Sequence, residues 1–210
     1  AAACKPKNPR PADRLPAICR EDCGEDSYYV YEGNGCWALG VADGVGGWTS
    51  LGVDPSLFAW DLMNCCQEVS SSMDQATSAI DPERVLAEGY RRVVDEGRVE
   101  AGSSTACIVA VDKAQGIMRT TNLGDSGAIV VPPILPFHIP FRTTDLQHYF
   151  NAPYQLSVLP PAMRNDPTNI VDSPADAITE EFEGGLREGD VIVVGTDGVW
   201  DNLWEEEVRN

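Results

Sequence analysis

Two apolar runs, each followed by Asp-Gly, stand out in the hydrophobic pattern of the chain. Residues 37–42 lead directly into Asp43-Gly44, and residues 191–194 lead through two small residues into Asp197-Gly198. Short apolar runs rich in β-branched residues and bounded by turn residues are typical of buried strands. We therefore expect two strands that each present an aspartate at the carboxyl end.

The rest of the pattern predicts an α+β fold with antiparallel sheets and helices packed outside them. Further strands are predicted at 27–31, 106–111, 117–123 and 128–131, and the turn at Asn34-Gly35 joins the strand at 27–31 to the strand at 37–42 in a hairpin. Helices are predicted to begin at Asp54-Pro55 and Asp81-Pro82, where an N-cap residue precedes a first-turn proline. The polar stretch 70–78 is predicted to be a loop, and residues 132–140 and 160–176 are predicted to be connections.

Three further acids lie near predicted strand ends. The hairpin places Glu25-Asp26 level with Asp43, and Asp125 lies between glycines in a strand kink at 124–127. Each feature also has a simpler explanation: the acidic turn could be a solvated loop, and the kink could be a plain bulge. If the acids converge, carboxylate oxygens favour Mg²⁺ or Mn²⁺ over zinc.

Composition narrows the functional classes. The 210 residues suffice for one substantial domain, and no apolar run approaches the ~20 residues that cross a bilayer. The net charge of −18 argues against binding to nucleic acid or to an anionic membrane. Seven scattered cysteines without a Cys-x-x-Cys pair favour thiols in a reducing compartment over a disulfide framework. His148 is predicted to be a hydrogen-bonded structural residue, because no second metal-like histidine stands near it.

Five ordered motifs together resemble the metal-dependent type 2C protein serine/threonine phosphatases, the PPM family. They are Gly24-Glu25-Asp26, residues 42–48 (Ala-Asp-Gly-Val-Gly-Gly-Trp), residues 102–106, residues 122–127 and residues 196–202. Residues 40–48, 147–151 and 155–156 look like the branch with mitochondrial and plastid members.

The resemblance implies a four-layer α-β-β-α sandwich with two or more Mg²⁺ or Mn²⁺ ions at one end. Asp43 would bridge two ions, the Gly44 carbonyl would bind one, and Asp197 would bind the other. Glu25 and Asp26 would bind directly or through water, and Asp125 would help a weaker additional ion. The family's phosphate-binding cation would be Arg20, with Arg14 as a weaker candidate.

The implied function is hydrolysis of phosphoserine and phosphothreonine in proteins by a water molecule activated between two cations. Two departures keep a catalytically silent binding module as the alternative. Val45 stands where many relatives carry a histidine, and a further metal-binding aspartate expected beyond Asp201 is missing. A two-metal nuclease is disfavoured by the acidic charge.

We expect residues 1–17 to form an extended lead-in and residues 18–210 to form one phosphatase domain that lacks its C-terminal strand. The expected partner is a phosphoprotein substrate, and the protein is expected to be a monomer without a membrane span. The expected location is an intracellular reducing compartment, either a mitochondrion or plastid or else the cytoplasm.

Overall fold

The computed structural model describes residues 1–77, 79–133, 139–164, 166, 169 and 171–208. Antiparallel strands alternate with turns in these residues, and two long helices lie between the second and third strands. The strands are β1 (Asp26–Glu32), β2 (Cys36–Asp43), β3 (Gly102–Ser104), β4 (Ala106–Asp112), β5 (Ile117–Leu123), β6 (Gly127–Val131), β7 (Phe141–Arg142), β8 (Gln147–Tyr149), β9 (Ala152–Pro153), β10 (Leu156–Val158), β11 (Ile178–Glu181) and β12 (Val191–Gly195). The helices are α1 (Pro55–Thr77), α2 (Pro82–Glu96), α3 (Asp197–Trp200) and α4 (Glu205–Val208).

The larger sheet has the strand order β1-β2-β4-β5-β11, with antiparallel neighbours throughout. The predicted hairpin is confirmed: β1 and β2 pair over seven residues, and the turn at 33–35 joins them. In this register Asp26 lies directly opposite Asp43. Each of the other predicted strands is also confirmed, with bounds that differ by at most one residue.

Helices α1 and α2 pack on one face of this sheet around a core that includes Phe58, Leu62 and Leu86. Both begin where predicted. The Asp81 side chain accepts a hydrogen bond from the Glu83 amide, and the Asp54 carboxylate accepts one from the Ser56 amide. A side-chain oxygen in this position satisfies an amide that has no partner within the helix.

The prediction of a loop at 70–78 is wrong for residues 70–77, which continue α1; Ser78 lies outside the described residues. Two buried side chains, Val69 and Met73, are spaced one helical turn apart. The hydroxyls of Ser70 and Ser72 donate to the carbonyls of Cys66 and Glu68, four residues earlier. The serines are therefore satisfied within the helix, and their polarity does not end it.

A smaller sheet, with the order β12-β6-β7, packs against the other face of the larger sheet. The core between the sheets includes Cys107, Val109, Met118 and Val130. Helices, large sheet and small sheet thus form three layers. No helix pair lies outside the small sheet in the residues the structure describes, so the fourth layer stays a prediction.

The predicted connection at 132–140 includes residues 134–138, and that at 160–176 includes 165, 167, 168 and 170; these residues lie outside the described part of the chain. None of the described helices is long and apolar enough to cross a membrane.

The N-terminal residues are tied to the domain more firmly than an extended lead-in suggests. A disulfide joins Cys4 to Cys23, and a short 3-10 turn covers Ala12–Arg14. The expectation that all seven cysteines are unpaired thiols is therefore wrong for this pair. The other five cysteines are free and buried, as expected of small core residues.

Candidate metal centre

The acidic site lies at the end of the large sheet where β1 begins and β2 ends. The backbone of Asp43 is held on both sides: its amide donates to Thr105 Oγ1 at 3.2 Å, and its carbonyl accepts from the Thr105 amide at 3.0 Å. Thr105 Oγ1 lies 2.7 Å from Ser126 Oγ. The motif at 102–106 thus positions the backbone of Asp43 without supplying a charge of its own.

Glycine is required after Asp43 because other backbone segments lie against it. A Cβ atom on Gly44 would lie 2.5 Å from the Pro55 carbonyl oxygen and 2.6 Å from the Glu25 carbonyl oxygen. A Cβ atom on Gly46 would lie 2.8 Å from Glu25 Oε2. The glycines therefore allow the acidic turn and its Glu25 carboxylate to lie directly beside the Asp43 loop.

The second Asp-Gly motif reaches the same place from the small sheet. Strand β12 pairs with β6 down to Gly195, which lies opposite Gly127, and α3 then begins at Asp197. Trp200 Nε1 donates to the Gly195 carbonyl at 2.8 Å and closes this turn. Asp197 comes within hydrogen-bonding reach of Asp43. Carboxylates 154 positions apart in the chain thus converge, as the sequence predicts.

The acids raise one another's pKa values. Burial, followed by the charges of Asp26 and Asp197, raises the pKa of Asp43 to about 9. Burial and the Asp197 charge raise the pKa of Asp26 to about 6, although a hydrogen bond from the Thr196 side chain opposes the shift. Like charges held together in a partly buried site favour protonated forms unless a cation joins them.

Asp125 extends the acidic cluster on the side of the small sheet. Burial and then the charges of Asp197, Asp145 and Asp201 raise its pKa. Gln147 Nε2 donates to its Oδ2 at 3.3 Å. No motif in the sequence selects Asp145, which lies between the short strands β7 and β8.

The structure does not bring Arg20 to the acidic cluster. Its guanidinium donates to Asn64 at 2.6 Å, contacts Gln67 and lies over the Trp60 ring. Asn64 is nine residues along α1 from Pro55, about 14 Å at 1.5 Å per residue. Arg20 therefore lies far along the helix, away from the end that abuts Gly44.

Two cations of the N-terminal segment, Lys7 and Arg10, lie closer, and no motif in the sequence selects them. The positive charge of Lys7 lowers the pKa of Asp26 against the larger effects of burial and the Asp197 charge, which raise it. Arg10 donates to the Gly24 carbonyl at 3.0 Å and forms ion pairs with Asp22 and Asp54. Arg10 therefore holds the acidic turn in position, and Lys7 supplies positive charge at its edge. Arg14 lies in the 3-10 turn, and no contact between it and the acids is seen among the described residues.

The structural assignment of His148 is confirmed. Its Nε2 lies 3.1 Å from Asp172 Oδ2, and its ring stacks on Tyr154 with centroids 3.9 Å apart. The side chains of Cys4, Glu21 and Cys23 also lie within 4.8 Å of one another, but the disulfide removes both thiolates. Within the described part of the chain, no three of the acids at the strand ends have ligand atoms that close together.

The chain is similar to several known protein phosphatases. No family model matches the chain. Among solved structures, the photosystem II phosphatase PBCP superposes with a TM-score of 0.69 at 32% identity, covering 89% of this chain and 64% of that one. The catalytic domain of the phosphatase PstP, solved in complex with two manganese ions, shares the fold with a TM-score of 0.53 at 17% identity, covering 88% and 76%. The chain belongs to the type 2C, or PPM, family of protein phosphatases.

Within that family its curated relatives are homologues of protein phosphatase PTC7. The chain is 38% identical over 185 residues to the Drosophila grimshawi PTC7 homologue fig, covering 88% of this chain and 57% of the relative. It is 39% identical over 180 residues to the human PTC7 homologue, covering 86% and 56%. The chain thus spans a little more than half the length of these relatives.

Proposed function

We propose that this chain carries the catalytic centre of a metal-dependent phosphatase that hydrolyses phosphoserine and phosphothreonine in proteins. The convergence of Asp43, Asp26 and Asp197 at one end of two sheets is the observation that carries the proposal. The family supports the same activity, since its PTC7 and PBCP relatives are described as phosphatases.

The residues present fit a site for divalent cations. Several carboxylates share a partly buried space, where burial and then their mutual repulsion raise the pKa values of Asp26 and Asp43, and the charge of Lys7 lowers that of Asp26. Oxygen-only ligands of this kind suit Mg²⁺ or Mn²⁺. Because the charges of Asp26, Asp43, Asp125 and Asp197 interact in this space, we propose that two or more ions share it.

In the proposed site Asp43 would contact both ions, the Gly44 carbonyl would hold one of them and Asp197 the other. Glu25 and Asp26 would bind directly or through water, and Asp125 would support a weaker additional ion. When bound, the cations would lower the pKa of a water molecule and neutralise charge on the phosphoryl oxygens. The chain holds the geometry: Thr105 fixes the backbone of Asp43, and Arg10 fixes the acidic turn.

Two features of the proposed mechanism differ from the wider family: the source of the leaving group's proton and the cation that attracts the phosphate. The Val45 side chain has no acidic proton to donate, so the leaving oxygen takes its proton from solvent. The charge that would attract the substrate phosphate comes from Lys7 rather than from Arg20, which is engaged along α1.

The partners and location belong to the proposal as well. The substrate is a phosphoprotein, the protein acts as a monomer, and its location is intracellular. In a reducing compartment the Cys4–Cys23 pair would be open.

The proposal is tested with a chromogenic phosphate ester and added Mn²⁺. Wild type should turn the ester over, and Asp43→Asn should lose activity by at least about 100-fold, because the shared ligand for both ions is removed. Asp95→Asn is the matched control, since that carboxylate is 57% exposed on α2. Equal turnover by wild type and Asp43→Asn would contradict the proposal.

Calorimetric titration with Mn²⁺ separates the enzyme from a catalytically silent relative. Wild type should release or absorb heat on binding, and Asp197→Ala should weaken that binding. A chain that binds Mn²⁺ at this site but turns over neither the ester nor a phosphopeptide would be the silent binding module.

A further inference from the structure

The hairpin of β8 and β9 carries two aromatic side chains in open solvent. Phe150 is 95% exposed and Tyr149 is 71% exposed, and Phe150 has the largest exposed fraction of any large hydrophobic side chain in the described residues. Adjacent exposed rings leave apolar area in water that a partner could cover. We call these two residues the aromatic tip.

The base of this hairpin touches the acidic site. Gln147 Nε2 donates to Asp125 Oδ2 at 3.3 Å. Burial and the nearby charge of Asp197 raise the pKa of Asp125, which places Asp125 beside the acidic cluster. The pairing of β8 with β9 is irregular between Gln147 and Tyr149, and Phe150 follows the last residue of β8. At about 3.3 Å per residue the tip lies at most about 7–10 Å from Gln147.

The hairpin is held rigidly in place. His148 is anchored by Asp172 and by stacking on Tyr154. The turn is closed by a hydrogen bond of 3.2 Å from the Asn151 amide to Gln147 Oε1, and Asn151 adopts a left-handed conformation with φ of 58°. A pre-ordered contact surface spends less conformational entropy on binding than a mobile one.

We propose that the aromatic tip binds an apolar side chain of the phosphoprotein substrate, two or three residues from the phosphorylated residue. This inference rests on the proposed function, since it takes the acidic site as the place where the phosphate is bound. The spacing follows from the 7–10 Å between tip and Gln147, which two or three residues of extended peptide span. The occupant is a protein segment because the tip is continuous with the site, and the net charge of −18 opposes docking on an anionic membrane.

The test uses phosphothreonine peptides of otherwise constant sequence in which a single leucine is moved from three residues before to three residues after the phosphothreonine. Wild type should show about 10-fold higher kcat/KM when leucine stands two or three residues away on one side than when alanine stands there, as burial of one apolar side chain allows. The double variant Tyr149→Ser/Phe150→Ser should lose this preference, while Phe150→Trp should retain it. Val94→Ser is the matched control, because Val94 is 50% exposed on α2.

The ratio of peptide to chromogenic-ester kcat/KM is the decisive readout, because a general loss of fold or metal lowers both rates together. A wild type without any leucine preference, or a double variant that keeps it, overturns the inference while ester hydrolysis leaves the proposed function standing. Absence of ester hydrolysis by wild type with Mn²⁺ overturns both. Binding of wild type to phosphatidylcholine vesicles that the double variant loses would reassign the tip to a lipid surface and overturn the inference.

Discussion

Replacing Asp43 by asparagine should stabilise the metal-free protein while it destroys the proposed activity. In the folded chain the pKa of Asp43 is raised to about 9, so at pH 7 its carboxyl group stays protonated. In the unfolded chain the same group ionises near its ordinary value of 3.8. Folding at neutral pH without metal therefore requires Asp43 to take up a proton, and asparagine removes that requirement.

The size of the effect follows from the interval between 3.8 and pH 7. About 3 pH units at about 1.36 kcal/mol per unit sets an upper limit near 4 kcal/mol. Asparagine has nearly the same shape as the protonated acid and can still bond to Asp197, so most of this gain should be kept. For a chain of this size about 2–4 °C per kcal/mol applies, and we expect Tm to rise by about 5–10 °C.

Thermal unfolding in a chelator and in Mn²⁺ measures both halves of the prediction. In the chelator Asp43→Asn should melt above wild type; in Mn²⁺ the order should reverse, because ions bound only to the folded wild type stabilise it. Asp95→Asn should change Tm by no more than about 1 °C, as surface substitutions usually do. An Asp43→Asn protein that melts at or below wild type in the chelator would show that the acids are not strained together, and the electrostatic account of the site would be wrong.

Two further predictions concern pH and a buried ion pair. In the chelator, the difference in Tm between Asp43→Asn and wild type should widen as pH rises from about 4 to about 9. The reason is that the raised pKa of Asp43 makes the wild type lose stability between pH 3.8 and the folded pKa, whereas asparagine does not titrate; a difference independent of pH would refute this. Arg98→Ala should cost about 2–4 kcal/mol in chemical denaturation, since it leaves the fully buried Asp61 carboxylate without its partner at 2.7 Å; Arg98→Lys should recover part of the loss, and a cost below about 0.5 kcal/mol would contradict it.

The sequence predicts the parts of the site that depend on strand ends. A buried strand followed by Asp-Gly indicates where an aspartate lies and why the next residue lacks a side chain. Asp43, Gly44 and Asp197 can therefore be selected from the sequence alone. The hairpin turn at Asn34-Gly35 fixes the alignment of Asp26 with Asp43 in the same way. These strand-end and turn patterns involve residues that are close together in the sequence, so the sequence alone predicts them.

The sequence could not predict contacts made by segments without regular structure. Lys7 and Arg10 lie among prolines, and nothing in their neighbours indicates that a disulfide and several ion pairs hold this segment against the acidic turn. The position of Arg20 shortly before the acidic pair makes it the candidate phosphate-binding cation in the sequence. In the structure its guanidinium instead binds the side-chain amides of Asn64 and Gln67 on α1. The serines at 70–72 indicate a loop by composition, but their stretch is helical, because serine hydroxyls can bond to carbonyls within a helix as readily as to water.

The pairing of β1 with β2 has a consequence for how this protein can vary. Six residue pairs, about 20 Å of sheet, separate the turn at 33–35 from Asp26 and Asp43. Slipping one strand by a single position would turn every side chain of that strand to the opposite face, and Asp43 would point away from Asp197. An insertion or deletion in the turn at 33–35 that shifts the strand register would therefore disrupt the acidic site at the other end of the hairpin. The distance of a residue from the acidic site does not by itself show whether a change there is tolerated.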